Sequence, residues 1–231
     1  MRILLISFLL SGYLRPGYSQ SINYSDLFGN DWKKAEMFVK ENRHWIEPVL
    51  IKNNISFPIA VSVIFPELVR YSALQDKMEI TLLKTLYVNL GQDYADFSIG
   101  VFQMKPSFAE IICENAPALN MELSGITFPD KTKTDDIKTF RKMIIRDLEN
   151  PERQVDYLIA FIKLCDKSFT ISSKDEMNRI KFLATAYNFG IDRSAEEIES
   201  MIGKKYFNTK MFKTENYPYA DVAWYWYCEG R

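Results

Sequence analysis

The sequence predicts a mainly α single domain, on three observations. At 231 residues with 47% hydrophobic content, the chain can bury one substantial core, which fits one domain better than two. Apolar residues recur at helical spacing along most of its length, whereas strand signals are few and short. Helix start and stop signals punctuate that pattern at regular intervals, and no internal repeat or low-complexity tract interrupts it.

The first segment, 1–19, reads as a signal peptide. Arg2 precedes the apolar run Ile3 to Leu10, and the small residues Gly17 and Ser19 fit the positions a signal peptidase reads, placing cleavage before Gln20. The run is far shorter than the roughly 20 residues needed to span a bilayer, and no lipid-accepting Cys follows it. The expectation is an exported, soluble mature chain of residues 20–231 that lies in a periplasm or outside the cell.

Asp31 to Leu50 carries Trp32, Ala35, Phe38, Val39, Trp45 and Val49 at near-helical spacing. Ser56-Phe57-Pro58 opens a second helix, because Ser caps and Pro suits a first turn. From Ile59 to Phe65 every residue but Ser62 is apolar, the mark of a helix buried on nearly all sides, and Pro66 is expected to disturb its C-terminal end. Leu68 to Leu90 continues as amphipathic helix on Leu74, Met78, Leu82, Leu83, Leu86 and Leu90, and Gly91 stops it. A loop over 93–99 leads to Gly100, and the pattern turns helical again at Pro106-Ser107, at least to Cys113. Residues 119–136, with Gly125 and Pro129, form either an ordered excursion or a flexible loop. Helices are then predicted over Ile137 to Leu148, Pro151 to Lys167 and Lys174 to Phe189. A shorter one over Ser194 to Met201 precedes the aromatic tail Tyr217 to Tyr227.

Composition excludes several functions. Lys plus Arg number 29 against 30 Asp plus Glu, and a net charge of −1 offers no basic footprint for a nucleic acid. The runs at Lys131, Lys133 and Lys204-Lys205 read as solvated surface. Cys113, Cys165 and Cys228 cannot all pair within one chain: either one bridge and one thiol, or three buried thiols, is compatible with the sequence. The lone His44 has no partner histidine and reads as half-buried and structural. No metal site, Cys/His dyad or Ser-His-Asp triad follows from these residues, and no cofactor is expected.

Breaking a glycosidic bond calls for a carboxyl that stays protonated near neutral pH. Glu67 is the candidate. It ends the apolar run Val63-Ile64-Phe65-Pro66, where desolvation and the negative end of the preceding helix would both raise its pKa. An exposed helix-surface Glu is the alternative. Gly100 would let backbone approach a sugar closely, and the Gln103 amide can donate and accept toward hydroxyl or acetamido groups, or satisfy loop backbone instead. Tyr187 and Asn188 offer a phenol and an amide that could orient Glu67 or a substrate N-acetyl group, while Asn188 and Gly190 could also simply end a helix.

The segment Ser98-Ile99-Gly100-Val101-Phe102-Gln103-Met104-Lys105-Pro106-Ser107 resembles the Gly-Leu-Met-Gln-Ile-x-Pro-Ser core of the lytic transglycosylases related to goose-type lysozyme. Ala184-Thr185-Ala186-Tyr187-Asn188-Phe189-Gly190 is similar to their Ala-x-Ala-Tyr-Asn-x-Gly motif. In that family a helix that starts near a Pro ends at the catalytic Glu, and Pro58 and Glu67 stand in that order here. The resemblance spans roughly Phe57 to Gly190. It implies a lysozyme-like fold, Glu67 as the one catalytic acid and base, and substrate contacts from Gly100, Gln103, Tyr187 and Asn188. The implied partner is the peptidoglycan glycan strand, cut at the MurNAc-GlcNAc β-1,4 bond to leave a 1,6-anhydromuramoyl end.

The chain departs from that pattern. Leu68 replaces the Ser that usually follows the Glu, Pro66 precedes it, and Phe97-Ser98 replaces a Gly-Ala. The long interval between Glu67 and Gln103 suggests an inserted helix. Asp93 and Asp96 could position a water in a hydrolysing muramidase, and a catalytically silent glycan-binding scaffold is the third reading. The aromatic tail could stack on sugars, although packing against the core is the reading its density of rings favours. Tyr206 and Phe207 carry the same two readings.

Overall fold

A computed structural model describes residues 22–73, 78–119, 123–208 and 215–230. The signal segment, its cleavage site and Leu74 lie outside the described residues. The protein is a mainly α single domain, with ten α-helices and one two-stranded antiparallel sheet among those residues. The helices are α1 (Tyr24–Phe28), α2 (Asn30–Lys52), α3 (Phe57–Ala73), α4 (Met78–Leu90), α5 (Pro106–Asn115), α6 (Ile137–Glu149), α7 (Pro151–Phe169), α8 (Glu176–Phe189), α9 (Ala195–Met201) and α10 (Tyr219–Glu229). Strands β1 (Lys205–Phe207) and β2 (Tyr217–Pro218) pair just before α10.

Helix α3 is the axis of the molecule, packed by α2, α8 and α10. Its sequence requires that position. Ala60, Val61, Val63, Ile64, Phe65, Leu68 and Val69 are all buried, and the one polar residue among the early turns, Ser62, donates its hydroxyl to the Ile59 carbonyl at 2.7 Å. Aromatic packing locks the axis in place. Phe65 lies 4.6 Å from the Trp32 ring of α2 and stacks on Trp226 of α10 at 5.0 Å, while the buried Tyr219 hydroxyl donates to the Val63 carbonyl at 3.1 Å. The aromatic tail is therefore core.

Two expectations about this region are corrected. Pro66 does not end α3, which runs on to Ala73. A Pro here loses the hydrogen bond that its N–H would donate to the Ser62 carbonyl and crowds that carbonyl with its ring, and packing on three sides outweighs both costs. The second correction concerns the apolar face read over Leu68 to Leu90, of which residues 68–73 lie in α3 and 78–90 in α4. On α4 the inward residues are Leu83, Leu86 and the fully buried Tyr87, whereas Leu82 and Leu90 are exposed. A helix does lie in the interval between Glu67 and Gln103.

The start signal at Asn150 acts as a cap. Asn150 accepts from the backbone N–H groups of Glu152 and Arg153 ahead of α7, with Pro151 in the first turn. Asp136 and Asp175 cap α6 and α8, and Ser194 with Glu197 forms a capping box on α9. Residues 123–136 form an ordered excursion. Arg153 donates to the Thr127 carbonyl at 2.6 Å and to Asp147 at 3.0 Å, the Phe128 ring packs 4.8 Å from Tyr157, and the Ser124 N–H donates to Asn53 at 3.1 Å.

No disulfide joins Cys113, Cys165 and Cys228. The first two are buried and the third is exposed, so the reading of three buried thiols holds for two. His44 is exposed rather than half-buried, with Nδ1 bonded to the Glu41 carbonyl at 2.8 Å one turn back along α2. No described helix is long and apolar enough to cross a membrane.

Candidate active site

An open cleft of about 400 Å³ runs between α3, the turn before α5 and the end of α8. Glu67, Arg70, Gln103, Lys105, Tyr187 and Asn188 line it. Residues 36 and 121 positions from Glu67 in sequence thus meet at one surface, because α3 and α8 pack side by side in the core.

Glu67 is only 2% exposed. Its Oε1 accepts from Asn188 Nδ2 at 3.0 Å, and Arg70 Nη1 donates to Oε1 and Oε2 at 3.0 and 3.1 Å. Burial raises the Glu67 pKa above the ordinary glutamate value. The Arg70 charge, the Asn188 hydrogen bond and the Lys105 charge oppose that shift, and desolvation outweighs them. The source of the shift differs in part from the sequence-based expectation. Glu67 lies inside α3, short of its C-terminal end at Ala73, so the negative helix end is not the cause.

The turn over 100–103 is built around backbone. Ile99 and Met104 exchange hydrogen bonds at 2.8 and 3.1 Å, and the Gln103 N–H donates to the Gly100 carbonyl at 3.1 Å. Gln103 takes a left-handed φ of 51°, unusual for a residue with a Cβ, and its side-chain Nε2 donates to the Gly100 carbonyl at 2.8 Å. Gln103 thus both lines the cleft and satisfies its own loop.

Gly100 does not approach the cleft, which corrects its expected sugar contact. Its φ is +70°, and a Cβ there would lie 2.2 Å from Gln154 Nε2 and 2.6 Å from the Leu148 carbonyl. The close approach that requires glycine is to α6 and α7. Gln154, fully buried on α7, donates to the carbonyls of Ile99 and Leu148 at 2.7 and 3.0 Å, and its Oε1 accepts from the Phe102 N–H at 3.1 Å. One amide therefore fastens the turn to the core.

Tyr187 supports the same turn from α8. Its hydroxyl donates to the Phe102 carbonyl at 2.8 Å, and its ring is held edge-on by Phe108 and Phe161 at 5.3 and 5.4 Å. It lines the cleft but holds the 100–103 turn rather than Glu67. Asn188 does reach Glu67, and Gly190, with a φ of +135°, ends α8 two residues later. Both roles read from that motif coexist.

Of the two loop acids, Asp96 is committed to structure: its carboxylate accepts from the Ser107 N–H and hydroxyl at 3.0 and 2.8 Å at the start of α5, and lies 3.7 Å from Lys105. Asp93 is exposed at the rim of the cleft.

Arg70, Lys105 and Gln154 were not singled out from the sequence. Arg70 could have been found, since a residue three positions after a buried Glu on a helix faces it. Phe207 lies beneath Arg70, its ring centroid 4.9 Å from the guanidinium carbon, so its reading as core packing holds. The neighbouring Tyr206 hydroxyl is buried with no hydrogen-bond partner among the described residues. No group of three His, Cys, Asp or Glu among the described residues could hold a metal ion. Compared with known proteins, the chain matches no family model, no curated protein and no solved structure.

Proposed function

We propose that this chain cleaves peptidoglycan glycan strands at the MurNAc-GlcNAc β-1,4 bond, as a lytic transglycosylase acting outside the cytoplasm. The observation that carries this reading is a single carboxyl, Glu67, buried against a cleft, its pKa raised by desolvation and its orientation fixed by Asn188. A carboxyl so placed favours its acid form more than a solvated glutamate does, as a proton donor requires.

In the proposed reaction Glu67 gives its proton to the glycosidic oxygen as the C1–O bond breaks. The substrate's own N-acetyl oxygen bonds to C1 and carries the positive charge that develops. The Glu67 carboxylate then takes the proton from the C6 hydroxyl, whose oxygen closes on C1 and releases the N-acetyl oxygen, leaving a 1,6-anhydro sugar and a protonated Glu67. One group serves both proton steps, so no second protein carboxylate is required, in contrast to the pair on which most glycosidases depend. Gln103 and Asn188 supply amides along the cleft suited to hydroxyl and acetamido groups.

Hydrolysis is the second reading, favoured by Asp93 at the rim of the same cleft, where a carboxylate could direct a water. Mass spectrometry of the products released from purified sacculi separates these readings. Anhydromuramoyl ends support elimination, reducing ends support a muramidase, and intact glycan contradicts both in favour of a non-catalytic binding protein.

A further inference from the structure

Arg70 borders the cleft beside Glu67. It lies one turn along α3, lines the cleft and keeps 23% of its side chain exposed, where the Glu67 side chain keeps 3%. Its Nη1 donates to both oxygens of Glu67, and its guanidinium rests on the buried Phe207 ring. A general acid must carry its proton when the leaving oxygen arrives, whereas a carboxyl paired with a guanidinium is favoured as its anion. The observed pair therefore works against the acid form of Glu67, and release of Arg70 would strengthen that form.

A guanidinium leaves a carboxylate most readily for another carboxylate, because its planar fork matches that group. Muramic acid differs from glucosamine by a lactyl ether that ends in a carboxyl, free where no peptide is attached and otherwise an amide to a peptide that carries carboxylates of its own. Building on the glycan-cleaving reading above, we propose that Arg70 is the anion-reading residue of the cleft. A carboxylate on the incoming glycan displaces Glu67 from the guanidinium, and this exchange frees Glu67 to take up a proton and act as the acid.

The remaining groups that face Glu67 permit that exchange. They are Asn188 and Tyr187 from α8, Lys105 from the turn before α5, Tyr206 from β1 and Tyr219 from α10. Lys105 is the other cation among these described groups, and it also lies 3.7 Å from Asp96. With Arg70 withdrawn, the largest influence opposing burial is gone. The balance of charge is closed: one carboxylate replaces another on Arg70, and the displaced Glu67 takes one proton from the buffer.

Isothermal titration of the folded protein with N-acetylmuramic acid and N-acetylglucosamine, at pH 7 in two buffers of different ionisation enthalpy, tests the exchange without depending on cleavage. The expected result is N-acetylmuramic acid binding at least roughly tenfold tighter than N-acetylglucosamine, as a charge-assisted hydrogen bond supplies, with close to one proton taken up per sugar. Glu67→Gln should bind the acid without proton uptake, and Arg70→Gln should lose the preference. Equal binding of the two sugars by the parent, binding of the acid without proton uptake, or no binding of either sugar overturns the proposal. Sacculus digestion by the same preparations keeps the two readings apart. Equal cleavage by parent and Arg70→Gln leaves glycan cleavage standing and removes the anion exchange. Sugar-linked proton uptake without cleavage does the reverse.

Discussion

Asn188 Nδ2 donates to Glu67 Oε1 at 3.0 Å, a contact between residues 121 positions apart that ties the end of α8 to the middle of α3. It is the one hydrogen bond to Glu67 from another element among those described, so it sets where the carboxyl points independently of Arg70. The bond also favours the ionised form, against desolvation.

Replacing Asn188 by Ala should therefore act in two ways. Cleavage should fall by about tenfold or more, the scale of one hydrogen bond to a charged group. The alkaline limb of the pH-rate profile should move to higher pH, because removing a group that lowers the Glu67 pKa leaves the acid form populated further up the scale. A rate loss with an unmoved limb would mean that Asn188 serves the substrate and not Glu67.

The turn that carries Gln103 should depend on Gly100 and Gln154. Gly100→Ala forces a Cβ against Gln154 Nε2 and the Leu148 carbonyl from a left-handed backbone and should cost about 3 kcal/mol or more. Gln154→Leu strands the Leu148 carbonyl and the Phe102 N–H and leaves the Ile99 carbonyl with the Met104 N–H alone, with an expected loss of about 2–4 kcal/mol. Urea denaturation measures both. A loss under about 1 kcal/mol for Gln154→Leu would show that these groups find other partners.

Tyr206→Phe should leave stability unchanged or raise it by up to about 1 kcal/mol, because it removes a buried hydroxyl that has no partner among the described residues. A clear fall in melting temperature would show that this hydroxyl is bonded in solution.

Much of this arrangement was legible in the sequence. Helical spacing and the cap at Asn150 located helices, since periodicity and N-caps are local signals. The positions of Glu67, Gln103, Tyr187 and Asn188 on one cleft were anticipated from two motifs and an isolated acid. What escaped is non-local. Tyr187 bonds to Phe102 and not to Glu67, Gly100 makes room for Gln154 and the Leu148 carbonyl, and Pro66 sits in an unbroken helix, because each outcome is decided by which neighbour packs there.

Glu67→Gln should change stability with pH in a defined direction. A carboxyl whose folded pKa is raised contributes stability that is present below the unfolded value and lost as pH rises through the folded one. Ionisation of the buried Glu67 is a net cost that grows with pH, so toward pH 7 the Gln variant should melt at or slightly above the parent. That advantage should disappear below about pH 4, where the parent carboxyl is neutral. A variant that is less stable at pH 7 and equal to the parent in acid would mean that the Arg70 ion pair outweighs burial.

The central claim, that Glu67 is the sole acid and base for glycan cleavage, is tested most directly by the rate at which parent and Glu67→Gln release anhydromuramoyl products from purified sacculi. Gln preserves size and hydrogen-bonding reach but cannot carry the proton, so a fall of at least about 10²–10⁴-fold is expected, with the fold intact by circular dichroism. Release at near-parent rate by Glu67→Gln would contradict the claim and turn attention to Asp93 at the rim of the cleft.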